Sequence, residues 1–395
     1  MSILRTNRAI IIAFMIGTFS IGMTEYVITG LVTQLSNDLD VPVSLTGLLL
    51  SVYAISVAVF GPIFRITTMK FPVKPVLISC MAVFVLSNVL AAMATSFTVL
   101  VIARLISAAI HAPFFGLSLA MAHHIVAPSK RGQAIAAVQG GLTISIMLGV
   151  PFGSYLGGVL EWRIVFWMIA VLGLITLIGL VLTLPNEKPT EIPKVKNELG
   201  VFKEKTFLMT LAIVILGYSG VFTTYVFKEP ILREIGGVDV LGVTFALFAF
   251  GTGAVAGNFL SSRIPLTHLT SRLRVAFLLL TLILVFFIPM ISIIGTLFIA
   301  SFLLGMFAFG TVPLLNAKLL ITGQHAPSLA GTIAAAAFNL ANALGATLGT
   351  IVLNAGVSFF VLTLCGAGLS VIGILLTVLL RRMEGREAAE SSGAA

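Results

Sequence analysis

Of the fourteen acidic residues in the chain, only Glu25 and Glu229 fall inside long apolar runs. An ionised acid at the centre of a lipid-spanning helix costs on the order of 3 kcal/mol, so such a residue demands a partner, a watery cavity or a proton. Glu25, flanked by Thr24 and Tyr26, has the placement of a group that loads and unloads a proton or meets a substrate; the plainer reading is a structural carboxylate bonded to a neighbouring helix. Glu229 stands in Lys228-Glu229-Pro230, where the proline is expected to end a helix near the membrane interface. There it would meet Lys228 or water, as a gating or cavity group or as a simple interfacial charge. Arg104 keeps its proton under all ordinary conditions, so within a span it must face a carboxylate, carbonyls or a water path, unless it snorkels to a nearby surface. If Arg104 and Glu25 face one cavity, they sense each other's charge. His111 lies further along the same run beside Pro113, which is expected to bend the helix; it suits a proton relay or a hydrogen-bonded structural role. Tyr218, Thr223, Thr224 and Tyr225 form a second polar set, and Asn339 and Asn342 share a helix face at i and i+3. These line a cavity or join helices by hydrogen bonds.

Other chemistries find no support. Cys80 and Cys365 sit in apolar runs, and no spacing of His, Cys, Asp or Glu suggests a metal. No Gly-Lys-Ser/Thr loop offers to hold ATP, and no Ser/His/Asp set lies in a plausible soluble site. No cofactor and no enzymatic activity are expected.

The elements that must position these residues follow from composition. The chain is 58% hydrophobic and 9% charged, with mean hydropathy +1.14, against about 25% charged for a soluble domain. That excludes an ordinary soluble protein. The net charge of +9 would suit nucleic acid in a soluble chain, but a membrane protein gathers Lys and Arg on one face for topological reasons, so no nucleic-acid partner is expected. Met1 leads through Arg5 and Arg8 into an apolar run without a small-residue cleavage site, which reads as a retained span.

Runs of roughly 20 apolar residues, enough to cross about 30 Å of hydrocarbon, fall at 8–32, 43–66, 75–95, 98–125, 133–158, 163–185, 207–228, 240–262, 273–291, 296–318, 329–353 and 357–380. The ninth and tenth are divided only by Pro289, Ser292 and Gly295. With the start inside, nineteen of the 23 Lys and Arg residues fall on inner segments, Arg163 and Arg233 on outer ends, and Arg104 and Lys228 within spans. Twelve spans with both termini cytoplasmic satisfy this asymmetry. The long polar segment 186–206 divides the chain into an N-terminal six-helix bundle, 1–185, and a C-terminal one, 207–382, followed by a disordered cytoplasmic tail, 383–395. The halves repeat weakly: spans two and eight run into basic turns, and spans five and eleven are rich in glycine. The architecture expected is all-α, with two pseudo-symmetric six-helix bundles around a central cavity.

Three patterns carry a family resemblance over essentially the whole chain. Gly149-Val-Pro151-Phe-Gly153-Ser-Tyr-Leu-Gly157-Gly158, with Trp162-Arg163 and Phe166, resembles the fifth-helix motif of the antiporter branch of the major facilitator superfamily. Thr24-Glu25-Tyr26, and Arg104 with His111-Ala-Pro-Phe-Phe-Gly116, resemble bacterial sugar, arabinose and purine efflux permeases of the twelve-helix drug:proton antiporter group. One stretch departs from the family: after Gly61, the loop between spans two and three has Met69 where the superfamily has an acid, and Pro72 and Val73 where it has Gly and Arg. Lys70 and Lys74 keep basic charge there, but the usual cytoplasmic latch is in doubt. Small residues allow close helix approach, and a Pro151 kink suits a helix that rocks; tight static packing would use the same spacing.

The resemblance implies a monomeric multi-pass protein of the cell membrane. Its partners would be lipid, protons and a small organic substrate such as a sugar, nucleobase, nucleoside or drug. Proton-coupled efflux by alternating access is the leading expectation, with Glu25 and His111 coupling protons and Gly149, Pro151, Gly153 and Gly157 serving the motion. Symport uptake and a non-transporting sensor on the same fold are the alternatives.

Overall fold

The computed structural model describes residues 2–68, 71–185, 200–324 and 327–393. Among them, twelve helical segments are long and apolar enough to cross a membrane. They are α1 (Asn7–Gly30), α2 (Val43–Gly61), α3 (Val73–Ala92), α4 (Phe97–Ile125), α5 (Pro128–Val159), α6 (Trp162–Thr183), α7 (Lys205–Tyr225), α8 (Val240–Ser262), α9 (Leu269–Ile291), α10 (Ile294–Thr322), α11 (Ile333–Asn354) and α12 (Phe359–Gly385). The narrow break between the ninth and tenth runs is real: helix ends at Ile291 and restarts at Ile294. All-helical structure is what hydrocarbon demands, because each helix satisfies its own backbone polar groups.

The chain divides into two compact units, residues 1–192 with 239–244, and 193–238 with 245–395. In the first, the side chains sort by the rules of lipid rather than of water. Leu86, Val171, Leu174 and Leu182 stand exposed, while Thr18, Ser20, Ser56, Ser87 and Ser118 are buried. The hydroxyls of Thr18, Ser20, Ser56 and Ser87 are tied to backbone carbonyls, as where Thr18 Oγ1 donates to Val138 O at 2.7 Å.

Glycines set the closest approach in this unit. A Cβ on Gly141 would strike the Met15 carbonyl and Thr18 Oγ1; on Gly149 it would lie 2.6 Å from Met23 Cγ, on Gly153 2.5 Å from Val27 Cγ2, and on Gly157 against Leu31. The glycines at 149, 153 and 157 thus form a groove on α5 that receives α1 residues spaced four apart, the arrangement that small residues permit between membrane helices. In the second unit, α11 lies on α7 in the same way, with Gly345 against the Ser219 carbonyl and Gly349 against Phe227 and Thr223 O. The repeat seen between spans five and eleven is therefore a repeat of packing. Gly61 is likewise tight, with its missing Cβ 2.7 Å from Ala112 Cβ.

Pro151 does not sit in a simple bent α-helix. A π-helical turn, Ser145–Gly149, comes just before it, and regular helix resumes at Val150. The proline has no N–H for the carbonyl four residues back and its ring crowds that carbonyl; a wider turn relieves both. A second π-helical turn, Ile213–Gly217, interrupts α7.

Two expectations are corrected. The tail is helical as far as Gly393: Ala, Glu and Arg there favour helix, and Glu384 pairs with Lys318 and accepts from Thr270 Oγ1 at 2.9 Å. Pro230 does not terminate a helix. It lies in the first turn of a short one, Lys228–Glu234, where a missing N–H costs nothing.

Gly140 and Gly141 provide a test of the α1–α5 contact, since a Cβ on Gly140 would meet open space. Gly141→Ala is expected to lower stability by about 1–3 kcal/mol through overpacking, while Gly140→Ala is neutral or gains up to about 1 kcal/mol from helix propensity. Thermal unfolding of the two purified variants checks this.

Candidate functional site

The first site grows from a change in helix type. In α1 the α-helix ends at Tyr26 and continues as a tighter turn, Val27–Gly30; carbonyls near helix ends need outside partners. Arg104 supplies them. Its Nη1 donates to Thr24 O at 2.6 Å, Nη2 to Glu25 O at 3.2 Å, and Nε to Leu49 O of α2 at 3.1 Å. The guanidinium also lies over the Tyr53 ring, 4.6 Å from its centroid. One side chain of α4 thereby joins α1 and α2. Arg104 is 1% exposed, so the snorkelling alternative is ruled out, and its partners are carbonyls rather than a carboxylate.

That choice leaves the Glu25 carboxyl to other groups. Its Oε2 lies 3.6 Å from His111 Nδ1, and the same nitrogen lies 3.2 Å from the Tyr53 hydroxyl. The Tyr26 side chain hydrogen-bonds the carboxyl as well. His111 is presented by a break in α4: one helix ends at Ala109 and the next begins at His111. Pro113 falls in the first turn of the second helix, where it fits. All three side chains are buried, so Glu25, His111 and Tyr53 form a chain of titratable groups in contact within an apolar bundle. Thr24 Oγ1, one residue away, bonds Asn88 Oδ1 at 3.1 Å.

The second unit does not gather its predicted residues into one cluster of this kind. Tyr218 packs edge-on against Phe222 and Phe338. Thr224 is buried with no hydrogen-bond partner for its hydroxyl among the described residues. Tyr225 stacks on Phe250 with ring centroids 4.9 Å apart. Glu229, expected to meet Lys228 or water, is fully buried and pairs with Arg233 one turn on. Asn342 is buried; Asn339 Nδ2 donates to Ala335 O at 3.0 Å. Lys74 Nζ reaches Val181 O at 3.0 Å, and Lys70 lies outside the described residues.

Sequence reasoning passed over four participants. Tyr53 and Asn88 carry no charge and look like core. Asp38 looked like a loop acid, yet it binds Arg163 Nη2 at 2.8 Å and Trp162 Nε1 at 3.0 Å, while Arg163 also reaches Ala94 O at 3.0 Å. The Arg163 hydrogen bond holds the Asp38 carboxyl below the usual carboxylate range. Lys228, read within a span and only as a candidate neighbour of Glu229, is fully buried.

Twelve apolar helices with glycine-mediated close packing and a buried carboxyl-imidazole-phenol chain define a polytopic membrane protein of the transporter type. The comparisons with known proteins agree. The family model described as the Major Facilitator Superfamily matches residues 14–350, and the chain belongs to that family. It is 47% identical over 371 residues to the MFS-type transporter YfhI of Bacillus subtilis (strain 168), covering 94% of this chain and 93% of that one. It is 32% identical over 376 residues to the inner membrane transport protein YdhP of Escherichia coli (strain K12), covering 95% and 96%. It is 30% identical over 352 residues to a probable sugar efflux transporter of Mannheimia succiniciproducens, covering 88% and 87%. The crystal structure of a mutant of the nucleoside transporter NupG shares the fold, with TM-score 0.75 at 14% identity over 94% of this chain and 99% of that one. This protein is a secondary transporter with a small-molecule substrate, and not an enzyme.

Two substitutions test these contacts. Arg104→Lys keeps the charge but cannot span three carbonyls, and is expected to cost about 2 kcal/mol or more in thermal unfolding. Asp38→Asn tests a pH dependence whose sign is fixed: a carboxyl lowered in the fold contributes stability above its unfolded value of about 4 and loses it as pH falls through the lowered one. Wild type is therefore expected to exceed Asp38→Asn by up to about 1 kcal/mol at pH 7, the scale of a partly exposed pair. The difference in melting temperature should close as the solution is acidified below that unfolded value.

Proposed function

We propose that this transporter exports a small organic compound in exchange for protons, by alternating access to the two faces of the membrane. The observation that carries the reading is the buried Glu25 carboxyl beside His111, tied to Tyr53 and lodged where Arg104 fixes the backbone. A carboxyl so placed takes a proton when its surroundings open to one side and gives it up when they open to the other; His111 is the neighbour able to pass that proton on. Arg104 acts as a positioning residue, holding the carbonyls of Thr24 and Glu25 so that the carboxyl keeps its direction.

Export rather than uptake is supported by the fifth-span motif and by the sugar efflux relative. The α5 groove on α1, with its π-helical turn, is the contact that would slide or rock during the cycle. The excess of Lys and Arg on alternate loops supports cytoplasmic termini and a cytoplasmic linker at 186–206; a monomer of the cell membrane is the simplest form that fits this reading.

Purified protein in liposomes loaded with a panel of radiolabelled sugars and nucleosides, under an imposed pH gradient, tests the reading. Wild type is expected to drive at least one of them against its gradient. Glu25→Gln is expected to retain passive exchange and lose gradient-driven movement by about a hundredfold or more, the scale of a lost general acid–base group. Full gradient-driven transport by Glu25→Gln would remove the proton assignment, and accumulation in the direction of proton entry would replace export by symport.

A further inference from the structure

The second unit contains a buried lysine whose amino group its own side chains do not pair. Lys228 is 0% exposed, and its ammonium has no hydrogen-bond partner among the described residues. It faces two aromatic rings instead: Nζ lies 3.3 Å from the Phe250 centroid and 5.3 Å from that of Tyr225. Ring faces attract a cation but replace only part of its lost hydration, and they leave all three N–H groups unmet. The adjoining acid does not help, because the Glu229 carboxylate is paired with Arg233. Glu229 and Arg233 cancel, so a proton on Lys228 has no counter-charge among these three residues, and burial without one favours the neutral amine. Four residues before Lys228, at the end of the preceding helix, the buried Thr224 hydroxyl also lacks a hydrogen-bond partner among the described residues.

We propose that Lys228 recognises an anionic group, a carboxylate or a phosphate, on the compound this protein carries; the proposal rests on the transporter reading only in taking that anion for cargo. A carboxylate or phosphate brings the missing negative charge and enough lone pairs to accept from the ammonium. A neutral polyol would supply the lone pairs without the charge, and a cationic compound is repelled. Because the ammonium is sealed in this conformation, the anion reaches it when the helices part during the transport cycle.

The test is thermal unfolding of the purified full-length protein in benzoate, inorganic phosphate or choline chloride at equal ionic strength. Benzoate, phosphate or both are expected to raise the midpoint by several degrees in a saturable way, and the choline salt is not. Which anion acts distinguishes a carboxylate site from a phosphate site. Lys228→Arg is expected to keep the response, and Lys228→Met to lose it while still eluting as a monodisperse protein. A lack of saturable response to both anions, or an undiminished response in Lys228→Met, overturns the proposal. The measurement needs neither flux nor a pH gradient, so a failure of proton-driven export leaves this result standing, and the converse holds too.

Discussion

In a bundle surrounded by hydrocarbon, a fixed charge has to find its partners inside the protein, and in the first unit Arg104 finds them in the backbone. Three carbonyls from two helices accept from one guanidinium, and a tyrosine ring covers its face. Because these donors are used on main chain, the Glu25 carboxyl is not held in an ion pair with arginine. It is left beside a histidine, a weaker and reversible partner. A permanent Arg–Glu bridge would have favoured the charged carboxylate, whereas this arrangement stiffens the backbone and keeps the carboxyl out of a bridge with arginine.

The same economy governs the helix contacts. Lipid tails are as apolar as leucine, so helices gain little from turning leucines inward and are held by close approach and hydrogen bonds instead. The α5 glycines bring backbone against backbone and side chain along α1, the helix whose change of type carries Glu25. Packing and chemistry thus share one helix. Any displacement of α1 along the α5 groove would move the carboxyl relative to His111, which is borne by α4.

Much of this was legible in the sequence, and the reason is the solvent. Hydrocarbon makes length and hydropathy nearly sufficient to place spans, and it makes every interior charge conspicuous, so Glu25, Arg104, His111 and Glu229 stood out. What could not be read was pairing. Glu229 met Arg233 because Pro230 opens a new helix instead of ending one, which brings residues four apart onto one face. The tail escaped because its low hydropathy ends the apolar signal, while its Ala, Glu and Arg content carries α12 on as helix. Tyr53 and Asn88 were invisible for a different reason: uncharged polar side chains in apolar helices are common, and only three-dimensional proximity separates those that touch a titratable group from those that bond their own helix.

The two units, built on the same glycine packing, answer their buried charges differently. In the first, carbonyls satisfy the arginine, and the acid has an imidazole near it. In the second, Glu229 and Arg233 cancel, and Lys228 stands over aromatic rings with its hydrogen bonds unmade. Structural use of a lysine would be better served by a nearby acid or by a neutral side chain of the same length, since a buried unpaired ammonium is a net cost to the fold. A transporter has a use for such a cost: an interaction missing from the empty protein is one that cargo can complete, and binding energy realised only with cargo aboard is what allows the loaded and empty forms to prefer different conformations.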